Sequence, residues 1–91
     1  MRAIYFEPGA YKDFIEWAKK NPEIFSKITL LIQDIQRDFF KGLGKPEPLK
    51  NNLQGFWSRR INDEHRLVYN VTNDAIRIYS CHGHYSDFKN R

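Results

Sequence analysis

The chain is expected to fold as one α+β domain, with a short strand, two helices and then a meander of antiparallel strands. Three observations predict this. The segment Arg2 to Phe6 is rich in aromatic and β-branched residues and is ended by Pro8-Gly9. Apolar residues then recur at helical spacing as far as Phe39. Three strand-like segments follow, with turn residues between them. A chain of 91 residues can bury a single modest core. A hydrophobic fraction of 41% and an aromatic fraction of 15% suit a folded globule better than a disordered chain.

The first helix shows one apolar face at Ala10, Phe14, Trp17 and Ala18. Asn21-Pro22 stops it and starts the next, with Asn21 as cap and Pro22 at the first helical position. The second helix aligns Phe25, Ile28, Ile32, Ile35 and Phe39, while Lys27, Gln33, Asp34 and Arg37 fall elsewhere. Between Lys41 and Lys50, two glycines and two prolines forbid a regular helix and predict a loop held partly extended. The strands are expected at Gly55 to Ile61, Arg66 to Val71 and Ala75 to His82, joined by Asn62-Asp63-Glu64-His65 and Thr72-Asn73-Asp74. Consecutive hairpins are the simplest arrangement, and the first strand is expected to join their sheet at a position the sequence does not fix.

Alternation assigns faces to these strands. Phe56, Ser58 and Arg60 oppose Trp57, Arg59 and Ile61; Leu67, Tyr69 and Val71 oppose Arg66, Val68 and Asn70; and Ile76, Ile78, Ser80 and His82 oppose Arg77, Tyr79 and Cys81. Given the right register, Arg60 and Arg66 meet on one face of a hairpin.

Charge points toward a partner. The formal net charge is +4, and the charges of residues 1 to 40 cancel, so the excess lies beyond residue 40. There Lys41, Lys45, Lys50, Arg59, Arg60 and Arg66 surround only Glu47, Asp63 and Glu64. Such a surface attracts phosphate backbones, while an ordinary solvated positive face, or a patch that docks an acidic protein, fits the same charges. No apolar run approaches the roughly 18 residues that span a bilayer, and the start of the chain lacks the apolar stretch of a signal peptide. A cytoplasmic location is therefore expected. The single cysteine, Cys81, cannot close an internal disulfide and is expected to be a small buried or half-buried side chain.

Several residues carry chemistry suited to RNA. Cleavage without a metal needs a base for the ribose 2′-OH, cations for the charge that grows on phosphorus, and an acid for the departing 5′-oxygen. Glu47 lies between two prolines near Lys45 and Lys50; Arg60 and Arg66 offer guanidinium forks; His84 offers an imidazole that can give or take a proton; and Tyr85 can stack on a base or pass a proton. Plainer readings stand beside these. Glu47 also fits an exposed loop carboxylate, and Arg60 and Arg66 fit surface partners of Asp63 and Glu64. His82 and His84 share a strand face, but the strong metal-ligand spacings are absent. His65, at a turn, reads as structural or solvated. Gly42-Leu43-Gly44-Lys45 lacks both the following Ser or Thr and the preceding strand of a phosphate loop, so nucleotide binding is rejected.

Read together, Gly44-Lys45-Pro46-Glu47-Pro48-Leu49-Lys50, Gly55-Phe56-Trp57-Ser58-Arg59-Arg60-Ile61, Glu64-His65-Arg66-Leu67-Val68-Tyr69 and His84-Tyr85 resemble the YoeB (Txe) toxins, a branch of the RelE/ParE toxin superfamily. The likeness runs from the first strand to Tyr85. It implies a RelE-like fold over residues 1–85 and a toxin that enters the ribosomal A site and cuts messenger RNA, leaving a 2′,3′-cyclic phosphate and a 5′-hydroxyl. By the matching motifs Glu47 would be the general base, His84 the general acid and Arg66 the main stabiliser of the transition state. Lys50 and Arg60 would hold the phosphate, with Lys45 and Arg59 contributing to the same phosphate-binding surface, and Tyr85 would position the nucleotide. No metal or organic cofactor is implied. A YefM-like antitoxin would cover the basic face and, bound to the toxin, carry it to operator DNA; members of the family can dimerise. In the family the His-Tyr pair closes the chain, whereas here residues 86–91 follow as an extension that either screens Tyr85 or adds basic reach toward RNA. The competing reading is a non-catalytic basic module that binds an antitoxin or ribosomal RNA and acts as a transcriptional co-repressor.

Overall fold

The computed structural model describes residues 1–84. Strand β1 (Ala3–Phe6) leads into helices α1 (Pro8–Lys20) and α2 (Pro22–Arg37). A two-residue strand β2 (Glu47–Pro48), a 3-10 turn (Asn51–Leu53) and strands β3 (Trp57–Arg60), β4 (Arg66–Val71) and β5 (Ala75–Ser80) complete the order. The five strands form one sheet in the order β1-β5-β4-β3-β2. The meander β3-β4-β5 is antiparallel as expected, and β1 closes its far edge in parallel with β5, Ala3 beside Ala75 and Phe6 beside Ile78. No helix among the described residues is long and apolar enough to cross a membrane.

Local chemistry sets the helix ends. Pro8 occupies the first turn of α1, where its missing N–H costs nothing. Asn21 ends α1 by donating its backbone N–H to the Trp17 carbonyl, and its side chain accepts the Ile24 N–H at 3.2 Å to start α2. Helix α2 ends at Arg37, two residues short of the apolar stripe, because Asp38 turns extended and its carboxylate takes the N–H groups of Phe40 and Lys41. Both helices cover one face of the sheet, where Ile28, Leu31 and Ile35 pack against Leu67, Tyr69 and Ile78. A smaller cluster on the opposite face joins Leu49 and Leu53 to Val68, with Phe56 and Tyr79 against it.

A bulge changes the phase of β5. Tyr69 pairs with Ile78 but Val68 pairs with Ser80, so Tyr79 is the extra residue. Simple alternation therefore fails beyond Ile78, and Cys81 enters the helix-covered core rather than the opposite face. Burial pushes its thiol up to about 12, and Sγ lies 3.6 Å from the Ala10 carbonyl that it faces. Cys81 is a packing residue, as expected for a lone cysteine.

Arg59 organises the loop after α2. It has no exposed surface. Nη1 donates to Asp34 Oδ2 at 2.5 Å and to the Leu43 carbonyl at 3.1 Å. Nη2 reaches the carbonyls of Asp38 at 2.6 Å and Lys41 at 3.2 Å, and Nε meets the Tyr69 hydroxyl at 3.1 Å. Burial acts to raise the Asp34 pKa, but the Leu43 N–H and the Arg37 and Arg59 guanidiniums outweigh it and hold the carboxyl at about 2. Gly44 then lies against β3, its carbonyl accepting the Arg60 N–H at 2.6 Å. Its φ is +77°, and a Cβ there would sit 2.9 Å from the Arg60 carbonyl oxygen and 3.1 Å from Arg59 Cβ. Gly44→Ala is accordingly expected to lose about 1–3 kcal/mol, read from the urea midpoint; an unchanged midpoint would show that the loop has room to shift.

Candidate functional site

The face of β3 and β4 opposite the helices gathers the candidate groups. In the observed register Arg60 lies directly opposite Arg66, and Ser58 opposite Val68. On the other side of β3, Glu47 pairs with Ser58 and Pro48 with Trp57. Directly paired residues point to the same face, so Glu47, Ser58, Arg60 and Arg66 converge. Pro48 is compatible with pairing because β2 is an edge strand. The backbone delivering Glu47 is left-handed at Lys45, with φ +52°, directly after Gly44. A cleft of about 130 Å³ is lined by Lys45, Glu47, Ser58, Arg60, Arg66 and His84.

Arg66 is held before any ligand arrives. It is 8% exposed, and Nη1 donates to the carbonyls of Asn62 at 2.6 Å, His65 at 3.1 Å and Asp63 at 3.3 Å. The guanidinium is thus clamped by the β3–β4 turn and borders the cleft. Neither Asp63 nor Glu64 pairs with Arg60 or Arg66; Glu64 lies instead 3.8 Å from His65 Nε2. Among the described residues Lys45, Lys50, Arg60 and Arg66 form no ion pair. Like charges set directly across a sheet repel, so the Arg60–Arg66 pair is electrostatically poised for an anion. His84 follows the turn after β5, where the Arg66 N–H donates to the Gly83 carbonyl at 2.9 Å.

Residues 6–85 match the family of YoeB-like toxins of bacterial type II toxin-antitoxin systems. The chain belongs to the YoeB toxin family. Toxin YoeB of Escherichia coli K12 is 51% identical over 85 residues, covering 93% of this chain and all of that one. The structure of a YoeB dimer from Staphylococcus aureus is 45% identical with a TM-score of 0.87, over 92% of this chain and 98% of that one. In a YoeB–YefM complex from the same organism the match is 45% identical with a TM-score of 0.86, over 93% of this chain and 99% of that one. The RelE-like fold expected of the YoeB toxins is thereby established for this chain.

The YoeB-type residues do not all fall in the cleft. Lys45, Glu47, Arg60, Arg66 and His84 line it together. Lys50 borders an adjoining hollow formed by residues 47–53, which shares Glu47. Arg59 is a correction to the phosphate-binding set: it points into the helix-covered side and spends its donors on Asp34, Tyr69 and three loop carbonyls, so RNA cannot reach it. The sign was present in the alternation, which set Arg59 with Trp57 and Ile61. Tyr85 and the extension 86–91 lie outside the described residues. Ser58, which sequence reasoning passed over, is 3% exposed and borders the cleft between Glu47 and Arg60. Its place on the Arg60 face was the available signal. Among the described residues no three of His, Cys, Asp and Glu converge to hold a metal ion.

Proposed function

We propose that this toxin is a ribosome-dependent endoribonuclease that cuts messenger RNA in the A site and so inhibits translation. The observation that carries the reading is the paired register: two guanidiniums that form no ion pair among the described residues face each other beside a carboxylate, with an imidazole on the same cleft. A scissile phosphate fits between Arg60 and Arg66. Glu47 takes the proton of the ribose 2′-OH, whose oxygen forms the new bond to phosphorus. His84 gives its proton to the 5′-oxygen as the P–O bond breaks. The products are a 2′,3′-cyclic phosphate and a 5′-hydroxyl. Arg66, fixed by three carbonyls, holds the charge that grows on the phosphoryl oxygens. Arg60 and Lys50 help hold that phosphate, Lys45 adds to the same binding surface, and Tyr85 positions the nucleotide. None of these steps calls for a metal.

The dimer and the YefM complex formed by S. aureus YoeB support two protein partners for this chain: a second copy, and a YefM-like antitoxin that covers the basic face and links the toxin to operator DNA. Purified ribosomes loaded with message test the reading. Glu47→Ala and His84→Ala are expected to abolish cleavage while ribosome binding persists. Undiminished cleavage by both variants would remove the mechanism, and binding by the parent chain without any cyclic-phosphate product would favour a non-catalytic module.

A further inference from the structure

His65 does more than turn the β3–β4 hairpin. It is 8% exposed, and its Nδ1 accepts the Gly83 N–H at 2.8 Å, while the next residue, Arg66, donates its backbone N–H to the Gly83 carbonyl at 2.9 Å. The residue that precedes His84 is therefore held at both ends by the residues that open β4. The rest of the segment is fixed from α1. Trp17 Nε1 donates to the Cys81 carbonyl at 2.9 Å, and the indole lies 5.4 Å from the His82 ring in a stack and 4.9 Å from the His65 ring edge to face. His65 and His82 complete the three-ring cluster at 4.7 Å. These contacts leave little freedom to the turn that carries His84.

We propose that His65 is a positioning residue for His84, acting as a neutral imidazole whose Nδ1 anchors the Gly83 turn and releases it on protonation. The proposal rests on His84 being the proton donor. Only an unprotonated Nδ1 can accept an N–H, which places the ring proton on Nε2, toward the Glu64 carboxylate 3.8 Å away. The groups around the ring act in opposite senses. Burial, His82 and Arg66 disfavour the charged ring and Glu64 favours it, with a net lowering of its pKa from 6.5. On α1, Asp13, Glu16 and Lys20 face His82 across a small hollow beside Trp17. Because folding lowers this pKa, the neutral anchor contributes fully above 6.5, and its contribution falls as the pH drops below that value.

Amide NMR of the free, labelled chain tests the anchor independently of nuclease chemistry. The Gly83 N–H should be protected from exchange and shift with the acid titration of His65. His65→Asn puts an amide oxygen near the Nδ1 position and should keep the protection but abolish that titration. His65→Phe keeps a ring beside Trp17 without the acceptor, and should lose the Gly83 protection and slow message cleavage about tenfold or more in kcat with little change in KM. His65→Asn should recover most of that rate. A Gly83 amide equally protected in His65→Phe, a titration that survives in His65→Asn, or a His65→Phe chain that lacks the bond yet cuts at the parent rate would each overturn the proposal. A parent chain with the anchored turn and no cleavage would overturn the nuclease reading instead.

Discussion

Arg59→Ala is expected to lose about 3–5 kcal/mol of stability, a large share of what a domain of this size possesses. The loss has a definite origin. The substitution removes a fully buried cation, leaves Asp34 without its shortest partner, and strips donors from the carbonyls of Asp38, Lys41 and Leu43. The loop that carries Gly44, Lys45 and Glu47 should loosen with it. Urea unfolding checks the prediction, and a midpoint near that of the parent would show that the buried cation adds little. The partner carboxylate gives a pH signature. Asp34 is held at about 2 in the folded chain against an ordinary 3.8, so the unfolded chain binds the extra proton first as acid is added. Its contribution, about 2 kcal/mol, is fully present above 3.8 and is lost as the pH falls toward 2. Asp34→Asn should flatten that part of the stability profile.

Arg66→Ala is expected to slow cleavage of ribosome-bound message by about 10²–10³ in kcat. Its guanidinium is largely desolvated and pre-oriented by the carbonyls of Asn62, Asp63 and His65, so it needs no reorganisation when charge develops on the phosphate. Arg66→Lys should recover little, because a single ammonium cannot keep the turn carbonyls and a phosphate oxygen together. Arg60→Ala, at an exposed position, should act mainly on binding and reduce its salt dependence. Single-turnover rates separate the two. Equal losses in kcat for Arg60→Ala and Arg66→Ala would contradict the division of roles, and thermal unfolding of each variant keeps a folding defect from being read as chemistry.

Much of this arrangement was legible from residue pattern. The Asn21-Pro22 junction, the apolar stripe of α2 and the β3–β4–β5 hairpins are local features, whereas alternation only allows Arg60 to meet Arg66, and the register that pairs them is read from the structure. Long-range features were harder to read. The parallel pairing of β1 with β5 joins segments some 70 residues apart, and nothing in either segment names its neighbour. Glu47-Pro48 reads as loop, since two residues with a proline carry no strand period, yet β3 offers an open edge and takes them in. The bulge at Tyr79 cannot be seen without the partner strand, and it moved Cys81 to the core. Arg59 shows the limit of counting charges: in a basic cluster it looks like a phosphate ligand, and only its place between Trp57 and Ile61 on the inner face reveals that it closes the loop from within. His65 reads as structural or solvated from its place at a turn, and the structure makes it structural; its partner, Gly83, is too distant in sequence to be read from the pattern.

The central claim is that Glu47, Arg66 and His84 form one cutting site that acts on message in the ribosome. It is tested most directly by mapping the 5′ ends of translating messages after this chain alone is expressed. New ends should carry 5′-hydroxyls, cluster within A-site codons and disappear when translation is blocked before elongation or when Glu47→Ala replaces the parent. Cuts scattered without regard to ribosome position, or arrested translation with intact messages, would contradict the claim.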